Sequence, residues 1–335
     1  MATRRAAEEE EREGETVDGA ASAPLVGRTG RARDGNALAL NVDPDADLKP
    51  WLSWFAATDA DMPAGGILEG GILSDHAAIR VLHGGTWSAQ TADGPRVFAP
   101  GERGMTLYFG PQSKVMPITV DGPFKVISIY LGLGGAQALS APAQSEMIDR
   151  VLDYDQLTGR GHFASLFDFT ANPQAWYNTY AREFRRYLAA VEPARPDRIA
   201  LAFEACTLAQ PDFTLHGFAE ANDVSTRTVE RVVRKAYGLT PKQVIRRARA
   251  LDLAAALLGV AQNEEEAEMK LRYYDQSHQI REIRHFFDRT PRQLREEANP
   301  LLLLNLEIRQ SRRIEALHRL DPDQPAPWRD PLAEL

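Results

Sequence analysis

Apolar and polar positions repeat on two different periods along this chain, and the change of period divides it. From about Leu48 to Leu139 the apolar runs are short and Gly, Pro and Asp interrupt them. Ala77–Leu82, Thr86–Ala89, Arg96–Phe98, Met105–Phe109, Val115–Val120 and Phe124–Tyr130 read as strands. Turns are expected at Gly84-Gly85, Ala92-Asp93-Gly94, Pro100-Gly101 and Asp121-Gly122-Pro123. Short strands at regular spacing predict a small antiparallel barrel or sandwich. Beyond Ala141 the period lengthens to that of a helix. Gln174–Leu188 sets Trp176, Tyr177, Tyr180, Phe184 and Tyr187/Leu188 three to four apart, a stripe suited either to internal core or to a dimer surface. Val191–Asp197 then breaks the helix with Pro193 and Pro196 and reads as a stiff linker.

Phe218–Arg249 carries the sharpest pattern. Ala219 is small enough to let a second helix cross the first, and Ser225 stands where an N-cap is needed. A helix over Thr226–Tyr237 places Val229, Val232, Val233 and Ala236 on one face and Arg227, Arg231 and Arg234 on another. Gly238 supplies a left-handed C-cap, and Thr240-Pro241 opens the next helix. This is a helix-turn-helix pattern with a guanidinium face. Arg227, Arg231, Arg234, Lys235, Lys242, Arg246, Arg247 and Arg249 are opposed within the stretch only by Glu230, although the whole chain carries a net charge of -8. Lys and Arg neutralise phosphates while a few exposed side chains reach base edges, so such a face suits a nucleic-acid groove; a solvated helix in a bundle is the plainer reading of charge alone.

A second copy strengthens the first reading. Shifted by 50 positions, Ser225–Pro241 overlies Asp275–Pro291, with Arg231 on Arg281, Arg234 on Arg284, Val233 on Ile283, Tyr237 on Phe287 and Thr240-Pro241 on Thr290-Pro291. Pro241–Val260 between them reads as a helix of about 18 residues, roughly 27 Å long, suited to holding two recognition helices near successive major grooves.

The order Ser225-Thr226-Arg227-Thr228-Val229-Glu230-Arg231, Gly238-Leu239-Thr240-Pro241, Tyr273-Tyr274-Asp275-Gln276-Ser277-His278 and Arg289-Thr290-Pro291 resembles the AraC/XylS-type family of bacterial transcription regulators over about Ile199–Glu297. The resemblance implies two helix-turn-helix subdomains on double-stranded DNA. Its contacts would come from Ser225, Thr226, Arg227, Thr228, Arg231, Arg234 and Lys235 in the first unit, and from Gln276, Ser277, His278, Arg281 and Arg284 in the second. It also implies a cupin-like N-terminal domain for sensing or assembly. Two departures weaken the second unit. Gln279 stands where the family has an apolar anchor, and Asp288 stands where it has glycine. The preceding helix is loaded with Glu264, Glu265, Glu266 and Glu268. The first unit is therefore expected to dominate affinity.

The resulting fold class is α+β and multidomain. Residues 1–47 form a polar tail with too little apolar surface to offset ordering entropy, and 48–140 an antiparallel β-barrel with flanking helices. Residues 141–191 are a helical connector with a dimerisation option, 192–198 the linker, 199–298 an all-α double helix-turn-helix domain, and 299–335 a C-terminal helix and tail. No apolar run approaches the length of a membrane span and no signal segment opens the chain, which points to a cytoplasmic protein. The single Cys206 excludes an internal disulfide and a multi-cysteine zinc site.

Catalytic chemistry finds little support. His76 and His83 do not form a His-x-His pair able to converge on a metal. Gly132-Leu133-Gly134-Gly135 fails the dinucleotide-loop spacing at Gln137, and no Gly-x-Ser-x-Gly elbow or Walker loop occurs. Neither metal nor cofactor is expected. The reading is a transcription regulator with the promoter as its partner. RNA polymerase, a second copy of the chain and a small effector are further partners this arrangement admits. An effector in the barrel would meet Trp87, Tyr108 and Phe109 as apolar wall and Arg80 or Gln112 as polar anchors. The competing readings are a barrel enzyme with a fused DNA-binding tail and a helical interaction module.

Overall fold

The computed structural model describes residues 39–320, apart from 64, 160, 210, 261–275 and 298. Its N-terminal part is one antiparallel sheet of eight strands: β1 (Ala39–Val42), β2 (Leu52–Ala60), β3 (Ile67–Ile72), β4 (Ala78–Thr91), β5 (Gly94–Phe98), β6 (Met105–Phe109), β7 (Met116–Leu131) and β8 (Val151–Asp153). The order is β1-β2-β7-β4-β6-β8, with β3 added to β7 and β5 to β4. Helices α1 (Gly135–Ala138), α2 (Tyr154–Thr158) and α3 (Pro173–Val191) flank it. The C-terminal part is helical: α4 (Arg198–Ala209), α5 (Leu215–Ala221), α6 (Thr226–Tyr237), α7 (Pro241–Leu257), α8 (Gln276–Phe287), α9 (Pro291–Glu296) and α10 (Pro300–Leu320).

Two expected turns lie inside strands. β4 runs on through Gly84-Gly85, and β7 through Asp121-Gly122-Pro123, because the two strands pair with each other on both sides of these points. The register shifts between Gly84 and Thr86, so the glycine pair is a bulge that absorbs one residue. Both glycines have positive φ, 66° and 61°, and a Cβ on Gly84 would lie 2.9 Å from the Pro123 carbonyl oxygen. The sequence pattern missed β2 because it is buried on both faces and shows no alternation. β1 pairs with β2, Val42 opposite Phe55, so Ala39–Val42, which the sequence pattern assigned to the tail, form a strand of the sheet. The acidic stretch Glu264–Glu268 and the Tyr273-Tyr274-Asp275 motif lie outside the described residues.

The sheet is covered on both faces. On one, Ile79, Val81, Tyr108, Ile127 and Ile129 meet Trp176, Tyr177, Tyr180, Ala181 and Phe184 of α3. Asn172 caps α3, Pro173 opens it, and the Trp176 indole donates to the Asp168 carbonyl at 2.7 Å. The aromatic stripe is thus internal core rather than a dimer surface; each ring removed from water contributes roughly 2–3 kcal/mol. On the other face lie Leu82, Trp87, Phe109, Ile118, Val126 and Tyr130, and across them runs α10, placing Leu301 and Ile308 against the sheet. The opposite side of α10 sends Leu302 and Leu306 into the helical core with Leu251, Ile283 and Phe286. α10 is therefore shared between the sheet and the helical part.

Charge fastens the same junction. Asp75, in the loop before β4, lies 3.4 Å from both Arg247 of α7 and Arg309 of α10. Asp252 pairs with Arg309 at 2.9 Å and Arg313 at 3.3 Å, and Glu204 of α4 meets His76 at 2.7 Å and Arg312 at 2.5 Å. Burial alone would push the Asp75 and Glu204 carboxyls up. The guanidiniums of Arg309 and Arg247 around Asp75, and of Arg312 with His76 at Glu204, outweigh it and hold both down at about 2.

Candidate nucleic-acid interface

The first recognition helix is built as its sequence requires. The Ser225 hydroxyl accepts the Thr228 amide at 3.1 Å, and Ser225 Oγ and Thr228 Oγ1 lie 3.0 Å apart, so both hydroxyls are engaged in the N-cap. Val229, Val232, Val233 and Tyr237 are buried against Phe203, Phe218 and Ala219, while Ala236 is half-buried. Gly238 caps α6 at φ 71°. A Cβ there would lie 2.5 Å from the Gln144 carbonyl oxygen, so the end of α6 sits directly on the N-terminal domain.

Ser225, Thr226, Arg227, Arg231, Arg234 and Lys235 are exposed, and Thr228 is half-buried. None of the four cations makes an ion pair among the described residues. Arg231, Arg234 and Lys235 form one wall of a cleft of about 400 Å³ whose opposite wall is the 131–145 segment with Pro196 and Ala200. The rest of the basic run behaves differently. Arg246 clamps Glu282 of α8 and lies over the Phe286 ring, Arg247 is fully buried on the Gln112 and Asp75 carbonyls, and Arg249 reaches the Pro211 carbonyl. Three cations that charge counting assigns to a DNA-facing cluster are therefore engaged within the protein, Arg247 from the core and Arg246 and Arg249 from the surface. Sequence could not show this, because Asp75 and Glu282 are distant along the chain.

The second unit repeats the plan. Gln276 opens α8, and Ser277, His278, Arg281 and Arg284 are exposed. Ile283, Phe286 and Phe287 anchor it in the core with Leu251 and Leu294. Gln279 is only half-buried, which relieves the penalty expected for an amide at an anchoring position. Asp288 adopts the left-handed conformation at φ 53°, where glycine would be unstrained. Thr290 and Gln293 form a complete capping box for α9, matching that of Thr240 and Gln243 at α7. The end of α8 is also tied to the sheet domain, since the Val115 amide donates to the Phe286 carbonyl at 2.7 Å.

The remaining candidates sort by face. Trp87, Phe109 and Arg80 share the sheet face under α10. Tyr108 points to the other face, bonded to Gln144, and burial pushes its hydroxyl up to about 12. Gln112 accepts the Ser74 amide and donates to the Gly110 carbonyl, a structural role. His76 is buried between Glu204 and the Tyr237 ring, and His83 stacks on Phe169. No group of three or more potential metal ligands occurs among the described residues, and no helix among them is long and apolar enough to cross a membrane.

Helices α6 and α8 each present exposed arginines, and the helices that follow them, α7 and α9, open on matching capping boxes. Residues 218–297 match the family model described as a helix-turn-helix domain. The C-terminal region therefore carries a helix-turn-helix domain. None of the curated proteins matches the sequence. Among solved structures, ToxT from Vibrio cholerae O395 is similar at 6% identity and a TM-score of 0.40, over 73% of this chain and 99% of that one. The C-terminal domain of AraT, a response regulator from Geobacillus stearothermophilus, is similar at 21% identity and a TM-score of 0.28, over 32% and 90%. The AraC-like transcriptional activator CuxR is similar at 13% identity and a TM-score of 0.24, over 64% and 86%. Likenesses of this size carry no functional argument; the assignment rests on the helix-turn-helix match.

Proposed function

We propose that α6 and α8 enter two adjacent major-groove segments of one duplex. Thr226, Arg227, Arg231 and Arg234 would face the first segment, with Lys235 on phosphate and Ser225 and Thr228 holding the helix start. Gln276, Ser277, His278, Arg281 and Arg284 would face the second. The observation that carries this reading is the contrast in pairing: Arg227, Arg231, Arg234, Arg281 and Arg284 are exposed and meet no acid among the described residues, whereas Arg246, Arg247 and Arg249 nearby are engaged. Unpaired cations on the exposed face of a recognition helix are what phosphate neutralisation and guanine readout use.

The N-terminal domain serves as the regulatory part in this reading, responding to a small effector. Arg231 and Arg234 share their cleft with residues 131–145, so a duplex engaging them meets the N-terminal domain, and any ligand that shifts the junction changes access.

The test is a fluorescence-anisotropy titration on the protein's own upstream DNA at two salt concentrations. Sequence preference should survive the higher salt. Arg231→Ala is expected to weaken binding by about 1–3 kcal/mol and Arg281→Ala by less, because the second unit carries strain at Asp288. Equal losses would contradict the dominance of the first unit, and salt-abolished preference would contradict specific reading altogether.

A further inference from the structure

Helices α6 and α8 both end on the N-terminal part. The last turn of α6 meets the 144–150 segment, where a Cβ at Gly238 would lie 2.5 Å from the Gln144 carbonyl oxygen and 2.8 Å from the Ser145 nitrogen. Ile148 of the same segment packs on the core of the first unit. The last turn of α8 meets the 110–115 loop between β6 and β7. There the Val115 amide donates to the Phe286 carbonyl at 2.7 Å, and the Val115 side chain packs on the core of the second unit. Between these two seats the fully buried Arg247 of α7 donates to the Gln112 carbonyl at 2.5 Å.

The two seats are fastened to each other. A Cβ at Gly110 would overlap the Met147 carbonyl, so the segments touch backbone to backbone. The Asp149 carboxylate accepts the Ser113 amide at 2.8 Å and also the Ser113 hydroxyl. Its own amide donates to the Pro111 carbonyl at 2.9 Å, and its carbonyl accepts the Ala92 amide at 2.7 Å. Asp149 holds this position in the left-handed conformation, φ 56°, which aspartate visits more readily than most side chains. Gln144 is tied to the sheet in turn, its Nε2 donating to the Tyr108 hydroxyl at 3.1 Å. The path from α6 through Gln144, Asp149 and Val115 to α8 is therefore a second bridge beside α7. A single rod fixes a length, and a second support alongside it also fixes the rotation about that rod.

We propose that Asp149 is a positioning residue for DNA reading: by locking the 110–115 loop to the 144–150 segment it holds α6 and α8 at one separation and one relative rotation, and so selects the number of base pairs between the segments they read. This rests on reading α6 and α8 as partners of adjacent major-groove segments. One added base pair carries a groove segment about 3.4 Å along the duplex and turns it about the axis. A side chain set for one base edge loses its hydrogen bonds at such a displacement. The N-terminal part thereby acts as a gauge of operator spacing without touching a base.

The experiment uses the full chain and two readouts. The first needs no DNA: spin labels at Glu230→Cys in α6 and His285→Cys in α8, in a Cys206→Ala background, report the distance between the helices by double electron–electron resonance. The chain with Asp149 intact should give one narrow distribution. Asp149→Gly, which leaves the left-handed backbone at ease and removes the carboxylate, should broaden it, and Asp149→Asn, which keeps an acceptor for the Ser113 amide, should fall between. The second readout is anisotropy on duplexes from the protein's own upstream DNA, with one base pair added or removed between the two footprinted segments. With Asp149 intact the native spacing should be preferred by about tenfold or more, and Asp149→Gly should cut that preference to about threefold or less, with affinity for a duplex holding the first segment alone unchanged. An unchanged label distance in Asp149→Gly, a spacing preference that survives it, or an equal loss on every duplex would each overturn the proposal. If Asp149→Gly does not fold, Ser113→Ala, which takes the hydroxyl from the same carboxylate, is read by the same outcomes. Wild-type protein that ignores DNA sequence sinks the two-groove reading itself, whereas sequence preference that ignores spacing sinks only the gauge.

Discussion

Asp288 shows how one residue sets the quality of a whole unit. Its left-handed backbone, φ 53°, is the C-cap that Gly238 supplies in the first unit at φ 71°. Asp288→Gly is expected to raise stability by about 1 kcal/mol, read as a higher denaturant midpoint with unchanged slope, and to tighten the second unit on DNA. Asp75 is the opposite case, a residue whose loss removes more than its own bonds. Asp75→Asn leaves Arg247 and Arg309 buried against a neutral group and is expected to cost about 3 kcal/mol. By contrast Arg231→Ala, an exposed change, should leave the unfolding midpoint within about 0.5 kcal/mol of wild type.

At the scale of elements, what could be read from the sequence was what is local. Ser225 three residues before Thr228, Gly238 after Tyr237, and Thr240-Pro241 with Gln243 fix both ends of α6 and the start of α7 by contacts of four residues or fewer, so the first recognition helix was legible to its caps. The second copy was legible for the same reason in Thr290 and Gln293. The strands were less so. β2 escaped because it is covered on both faces, and the Gly84-Gly85 bulge looked like a turn because only its pairing with β7 tells the two apart. The residues proposed for DNA on α6 and α8 were singled out by the repeat and by the family resemblance, whereas Asp75, Glu204, Asp252 and Arg309 drew no notice, since each meets partners that lie far along the chain. Arg247 illustrates the limit: in sequence it is one more cation beside Arg246, and in space it is a wholly buried brace.

For the whole molecule, the junction predicts how the protein responds to acid. The Glu204 carboxyl titrates from 4.5 in the unfolded chain to about 2 when folded, and Asp75 from 3.8 to about 2. Folded values below unfolded ones mean that this stability is fully present above about pH 4.5 and is lost as pH falls toward 2. Denaturant midpoints should therefore drop steeply between about pH 4.5 and pH 2, and Glu204→Gln should flatten the upper part of that slope. A midpoint that ignores pH over this range would show the junction contributes little.

The path of α10 has a consequence for how the chain is made. The sheet's last long strand, β7, ends at Leu131, yet one of its two faces is finished only when Leu301 and Ile308 arrive. On a ribosome that adds residues one after another, Trp54, Trp87 and Tyr130 emerge long before their cover is synthesised, and the nascent domain must wait half-clothed until α10 follows. Removing α10 would thus harm the sheet as surely as the helical part.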